Sequence, residues 1–394
     1  MGKDDGVETA WEAVRTPFDA DLEAAVHAAD GPYAAGEEGI LVAGGPNDWE
    51  PVIERDALEA DGDLRAVDAT RDGERVWFAG DNGVLGMFDV ETGAAVGYDY
   101  TGTASSTWCE LAVTGAAGDE RALLANEAGA VVSFELDGEE LAFSEPTRAS
   151  ESPVVALTTT ETGVGYAVDA DGAVHTATAT GWEALGNIDA EGDPTDVAAT
   201  PDRLLVAATD GCLYEQEHGT EWRPTVIADE EILAVETGDR ETVAVVPEST
   251  IYTREDRESE WEHSTVDTGD RLTALALGTV DVAVGENGAV ARRFTAADEI
   301  GEGAGEPADE ADDPDETAAL PPVEDEAVAV EEAENAVDDA EAAVADAANA
   351  VESTDAEAAV EAVAGATEDV EDAVADAAHA AGMEGTMDEH TTHR

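Results

Sequence analysis

Carboxylates dominate the reactive side chains of this sequence. Its 394 residues carry 95 Asp and Glu against 17 Lys and Arg, for a formal net charge of -78, and Lys3 is the one lysine. A glycoside hydrolase works with two carboxyls flanking the scissile bond, one held protonated as an acid. Where acids are this abundant, any such pair is uninformative. Arginines are scarce enough to inform, and a site for an acidic sugar would need several. Arg65, Arg71, Arg121, Arg203, Arg240 and Arg271 fall at different places in the repeating units described below, so register alone brings no set together.

The other candidate chemistries fail on spacing. The histidines are His27, His175, His218, His263, His379, His390 and His393, and none forms a helical His-Glu-x-x-His zinc motif. Cys109 and Cys212 lie in different repeats, far from zinc or redox spacing, and read as buried free thiols. Asp169-Ala170-Asp171-Gly172 opens like a calcium loop but lacks the later bidentate Glu, so a plain turn is expected. There is no phosphate loop, nucleophile elbow or dinucleotide fingerprint. The sequence thus assigns no catalytic, cofactor-binding or metal-ligating residue, and no cofactor.

The acid is spread along the whole length rather than gathered in one block. Such a surface repels itself in dilute buffer and needs short screening lengths, which points to adaptation to high internal salt. Phosphate-backbone affinity comes from clustered Lys and Arg, and Arg292-Arg293 is too little, so no nucleic-acid partner is expected. Residues 1–10 are charged, and no run of about 18 apolar residues occurs, so the expectation is a cytoplasmic protein with no membrane partner.

The elements that would position any site come as a repeat. An apolar and small-residue run leads into Gly36-Glu37-Glu38-Gly39-Ile40-Leu41, and the pattern returns around Gly83, Gly129, Gly172, Gly211, Thr250 (where the glycine is lost) and Gly288. Seven hairpin turns recurring about every 40 residues are the mark of four-stranded propeller blades. The first strand of each unit is apolar, as in Leu64-Arg65-Ala66-Val67 or Leu272-Thr273-Ala274-Leu275. Second and third strands flank the glycine, whose tolerance of positive φ suits a tight turn between twisted strands. A fourth begins at a tryptophan, seen at Trp49, Trp182, Trp222 and Trp261. These tryptophans suit gap filling between neighbouring blades, with exposed stacking platforms as the other reading.

The seventh unit lacks its tryptophan strand, whereas the chain begins with an orphan one at Trp11. The expected fold class is therefore all-β: a seven-bladed β-propeller over residues 11–295, closed by an N-terminal outer strand, after a flexible segment 1–10. Residues 296–323 read as an acidic disordered linker. Residues 324–382 carry Val330, Val337, Val344 and Val351 at steps of seven with Ala333, Ala340 and Ala347 between them, a thin stripe that predicts an α-helical hairpin or coiled-coil-like tail. Self-association, a partner groove and conditional folding are all open to it. Residues 383–394 read as disordered.

The Gly-x-x-Gly-x-[Ile/Leu/Val] turn, best seen in residues 36–41, 80–85 and 285–290, and the Trp-Glu-x-Val outer strand resemble the Ycf48-like photosystem II assembly family, which grades into BNR repeat proteins of the wider WD40/YVTN-like group. The resemblance covers residues 11–295. It implies a seven-bladed propeller with a non-enzymatic binding habit. The full Asp-box of BNR repeats and the Gly-His/Trp-Asp pairs of WD40 repeats are absent. The functional expectation is a protein-binding or assembly scaffold with partners unknown, against an enzyme with a central-channel active site of glycoside-hydrolase type. The segments where repeats differ, Asn47 to Asp63, Tyr98 to Trp108 and the tail, are where function is sought.

Overall fold

A computed structural model of the chain describes residues 10–45, 48–53, 62–98, 100, 107–137, 140–238, 241–257 and 259–294. The linker, helical and terminal segments expected beyond residue 295 lie outside the described residues, as do 1–9, 54–61 and 101–106. The described strands form seven antiparallel sheets, each a meander stepping outward from an innermost strand. The innermost strands of blades 1 to 7 are Leu22–Ala28, Leu64–Ala69, Trp108–Thr114, Val154–Thr159, Pro194–Thr200, Ala234–Thr237 and Leu272–Ala276. Each neighbours the innermost strand of the next blade, and blade 7 returns to blade 1. Blade 3 departs from four strands: Glu140–Phe143 and Thr147–Arg148 both pair with Ala130–Asp137.

The second strand of each blade is apolar on both faces because both faces are buried. Val76-Trp77-Phe78-Ala79 shows why: Trp77 enters the cluster between blades 2 and 3, and Phe78 the one between blades 1 and 2. With a side-chain period of two, a strand packed on both sides reads as a continuous apolar run. Seven such clusters fill the seven gaps, each drawing on two adjacent blades. The tryptophans serve these gaps as the repeat predicted. Trp49, 3% exposed, packs between blades 1 and 7, and Trp11, 9% exposed, between blades 6 and 7. Trp182, Trp222 and Trp261 are half-buried against the inter-blade clusters.

The two ends of the chain meet in blade 7. Glu12–Val14 pairs antiparallel with Val290–Phe294, Glu12 opposite Arg292 and Val14 opposite Val290. Thr16 Oγ1 donates to the Gly288 carbonyl at 2.8 Å, and the Asn287 N–H donates to Asp21 Oδ1 at 2.7 Å. The Arg293 guanidinium lies 5.0 Å over the Trp11 ring.

The two glycines of the turn do different work. The second, at 39, 83, 129, 172, 211 and 288, has φ between +69° and +79°, the left-handed region. The first, at 36, 80 and 285, is fully extended but touches the chain entering the blade: a Cβ there would come within about 2.0 Å of the carbonyl oxygen of Asp21, Asp63 or Arg271. The blade without glycine corrects the sequence reading by one residue. The left-handed position is Ser249 (φ 51°), preceded by Glu248 (φ 61°), and not Thr250. A non-glycine residue there costs about 1–2 kcal/mol. The Ser249 hydroxyl offsets it by donating to the Asp270 carbonyl at 2.9 Å and meeting Thr268 Oγ1 at 2.9 Å. Two substitutions separate the effects. Gly80→Ala meets backbone and is expected to cost more than about 3 kcal/mol. Gly93→Ala (φ +67°, no atom within 4 Å) is expected to cost only the 1–2 kcal/mol of the conformation. Denaturant midpoints compare them, and equal losses would refute the close-approach argument.

Candidate functional site

Two places gather polar chemistry. The first is the axial cavity, about 430 Å³, lined by all seven innermost strands. Asp68, Glu110, Asp196 and Glu236 stand in it at positions where other blades carry Ala, Thr or Val. Each innermost strand leaves one edge of N–H groups without a sheet partner, and the acids take some of these across the gap between blades. Asp68 Oδ2 accepts from Val113 N–H at 2.6 Å, and Asp196 Oδ2 accepts from Val235 N–H at 2.8 Å. Glu110 stands near the Leu157 N–H of the next blade, which favours its charged form. Their second oxygens stay local: Asp68 Oδ1 accepts from Ala69 N–H at 2.8 Å and Asp196 Oδ1 from Val197 N–H at 2.7 Å.

These carboxyls lie deep in the ring, and their accessible surface faces the cavity. Burial pushes Asp68 and Asp196 up to about 6 despite the N–H bonds that oppose it. Burial, then the Asp196 charge, carries Glu236 to about 8 and Glu110 well above its ordinary value. At one mouth of the cavity Arg65 donates to Asp81 Oδ1 at 2.7 Å and reaches Glu23 at 3.5 Å.

The second place is between blades 5 and 6, on the face opposite the glycine turns. Arg203 begins the second strand of blade 5, Arg223 lies on its outer strand, Arg254 ends the third strand of blade 6, and Arg257 sits in the hairpin that follows. Three of them converge on one carboxylate. Glu215, 3% exposed, lies 3.0 Å from Arg203 Nε, 3.1 Å from Arg223 Nη2 and 2.7 Å from Arg257 Nε. Burial works against its charge, but the bonds from Arg203 and Arg257 prevail and hold it below the usual carboxylate range. Arg203 Nη1 also donates to Thr242 Oγ1 at 2.9 Å and Thr237 Oγ1 at 3.2 Å. Arg254 is 5% exposed and lies 4.7 Å from the Trp261 ring centroid, a cation–π contact. Among the described residues no carboxylate comes within ion-pair distance of it, and its Nε has no hydrogen-bond partner. Burial and the charge of Arg203 depress its proton affinity, with Arg223 and Arg257 adding to the effect against Glu215.

Register alone brings no set of the six named arginines together, but side-chain reach gathers one of them, Arg203, with three that were not singled out, Arg223, Arg254 and Arg257. The others named from the sequence are dispersed: Arg121 pairs with exposed Glu135, Arg271 with Glu231, and Arg240 lies outside the described residues. His175 is buried 3.5 Å from Asp169, and His263 stacks on Tyr252. Cys109 and Cys212 are both free but half-buried rather than buried, and partial burial pushes the Cys109 thiol up to about 11. Asp169 closes the expected plain turn, Oδ1 accepting from Asp171 N–H at 3.0 Å and Ala173 N–H at 2.9 Å. Among the described residues no three His, Cys, Asp or Glu side chains are placed to hold a metal ion. The channel acids did leave a signal in the sequence, as charges inside otherwise apolar first strands. The arginine cluster left none.

No protein-family model and no curated protein matches the chain. Solved structures do. One titled as YCF48 bound to a D1 peptide superposes with a TM-score of 0.59 at 16% identity, covering 74% of this chain and 96% of the other. The fold is that of the Ycf48 and WD40 propellers. The Cps50 (Swd1) β-propeller domain of Myceliophteria thermophila gives 0.57 at 11% identity, over 73% of this chain and 100% of that one. A propeller chain of a mitotic checkpoint complex gives 0.59 at 13% identity, over 75% and 95%. At these identities the likeness concerns the propeller framework alone.

Proposed function

We infer that this propeller is a non-enzymatic protein-binding or assembly scaffold working in a high-salt cytoplasm. The guanidinium cluster of blades 5 and 6 carries the reading. On a chain of net charge -78, three arginines meet at one carboxylate with Arg254 near them, and two of the three, Arg223 and Arg257, present exposed side chains in the gap that half-buried Trp261 packs against. Arginine and tryptophan are the residue types that dominate interface hot spots, and a closed ring holds them rigidly. A propeller of the same fold has been captured with a peptide, which supports a binding habit. The dispersed acid elsewhere supports the salt requirement.

The double substitution Arg223→Ala with Arg257→Ala tests the reading. In an affinity pull-down at molar potassium chloride, a partner recovered with the unaltered chain is expected to be lost or weakened at least tenfold. Equal recovery with both proteins would place the docking surface elsewhere.

One observation favours a second reading, an enzyme of glycoside-hydrolase type acting in the channel. Asp68, Asp196 and Glu236 share a cavity and titrate near neutrality, as an acid catalyst must. Against it, Asp68 and Asp196 already spend both oxygens on backbone N–H groups. Glycosidase turnover assayed in molar salt decides between the two.

A further inference from the structure

The geometry points to a binding site for a phosphoryl dianion at the cluster formed by Arg203, Arg223, Arg254 and Arg257. The inference rests on the reading of that cluster as a binding surface and adds the chemistry of what it takes.

Elsewhere in the ring, half-buried arginines have acid to match. Arg293 shares Asp281 and Glu241, both at 2.7 Å, and Arg75 pairs with Glu120 and faces Asp89 at 3.9 Å. Between blades 5 and 6 the balance fails. Three guanidinium groups pair with Glu215, Glu217 adds a contact to Arg223 at 3.4 Å, and Arg254 stands near them without an ion pair among the described residues. Four positive charges against the two carboxylates within ion-pair distance of them leave a surplus of two. A carboxylate ligand would leave one of these unmatched, whereas a phosphoryl dianion cancels both.

The donors fit the same ligand. Arg203 Nη2 and Arg254 Nε are buried without partners. Arg254, 5% exposed with no described carboxylate within ion-pair distance, is a cation held in a dry place by its ring contact with Trp261. An unpaired buried cation is costly, so a site that keeps one is preorganised for an anion. Guanidinium groups bind phosphate oxygens bidentately and with charge assistance, and several of them suit a group with three terminal oxygens. The exposed Arg223 and Arg257 give access from solvent, and their bonds to Glu215 can be shared with an arriving anion without moving the buried pair.

The test uses the full chain with two probes, inorganic phosphate and a short phosphoserine peptide, titrated calorimetrically at fixed ionic strength in potassium chloride. A single saturable site is expected for at least one probe, weakened about tenfold or more by Arg223→Gln with Arg257→Gln, since one charge-assisted contact is worth at least that factor. Arg121→Gln, which removes an exposed arginine of blade 3, is expected to change nothing. Affinity for the peptide should fall as pH drops through about 6 and the dianion is protonated. Binding of phosphate alone supports a free phosphoryl ligand, and binding of the peptide alone supports a phosphorylated partner. The proposal is overturned if neither probe saturates, if the double variant binds as tightly as the parent, or if the same peptide with glutamate in place of phosphoserine binds equally well. These outcomes are separate from the pull-down: a partner lost on Arg223/Arg257 substitution while both probes fail would keep the docking surface and remove the phosphoryl group.

Discussion

A chain lacking residues 1–17 is expected to lose the cooperative unfolding transition of the propeller. The deleted stretch supplies the outer strand of blade 7, whose ladder runs from Glu12 opposite Arg292 to Val14 opposite Val290. It also removes Trp11, which packs against Val243, Val245 and Ile251 of blade 6 and Ala289 and Ala291 of blade 7. Losing a buried tryptophan costs about 3–5 kcal/mol, and a domain has only some 5–15 to lose. The truncation adds the unpaired edge of Val290–Phe294 and the lost Thr16 bond to Gly288. Blades 1 and 7 are then joined only through side chains and the Asp21 loop. Calorimetry or circular dichroism of the truncated chain in molar salt provides the check. A melting temperature within a few degrees of the parent would show that the ring closes without its interlock. Trp11→Ala is the milder variant, expected to retain the fold with a loss of about 3 kcal/mol or more.

The protein should be more stable at pH 5 than at pH 8.5, opposite to the usual behaviour of salt-bridged carboxylates. Asp68 and Asp196 titrate at about 6 in the folded chain and Glu236 at about 8, all above the ordinary values of 3.8 and 4.5. A group whose folded pKa is raised binds its proton more tightly when folded. Its contribution is fully present below the unfolded value and is lost as pH rises through the folded one. The window is therefore about pH 4 to 8. Each pH unit between folded and unfolded values is worth about 1.4 kcal/mol, so Asp68 and Asp196 each contribute on the order of 2–3 kcal/mol. General repulsion among the surface acids works in the same direction as they ionise. Below about pH 4 the trend reverses, because Asp81 and Glu215, held low by their arginines, must then be protonated. Denaturant midpoints at a series of pH values and constant molar salt measure the slope. A flat or rising profile between pH 5 and 8 would mean that the channel acids are fully hydrated. Asp196→Asn is expected to reduce the slope, at the price of one backbone hydrogen bond.

Much of the fold was legible from residue types. The spacing from Gly39 to Gly288 marks seven blades because each turn needs a residue that tolerates positive φ, a local demand repeated in every unit. Ser249 shows the limit of such a signal: two hydroxyl contacts from its neighbourhood stand in for the missing glycine, and the eye then settles one residue too late. The closing strand at Trp11 was readable for a different reason, since an orphan fourth strand at one end and a vacancy at the other have one economical solution.

What the sequence determined on its own was thus the architecture, which is written in local conformational demands and in a two-residue alternation that any reader of the chain can count. What only the tertiary structure decided was which charges meet. Arg203, Arg223, Arg254 and Arg257 occupy four different structural positions in two blades, and Glu215 lies 42 residues from one of them. Their convergence depends on the angle between neighbouring blades and on the length of each side chain, neither of which has a period. The same holds for Asp68 and Asp196, whose raised pKa values follow from the cavity that seven innermost strands enclose together. Electrostatic energy depends on distance through space and on burial, and both exist only once the ring has closed.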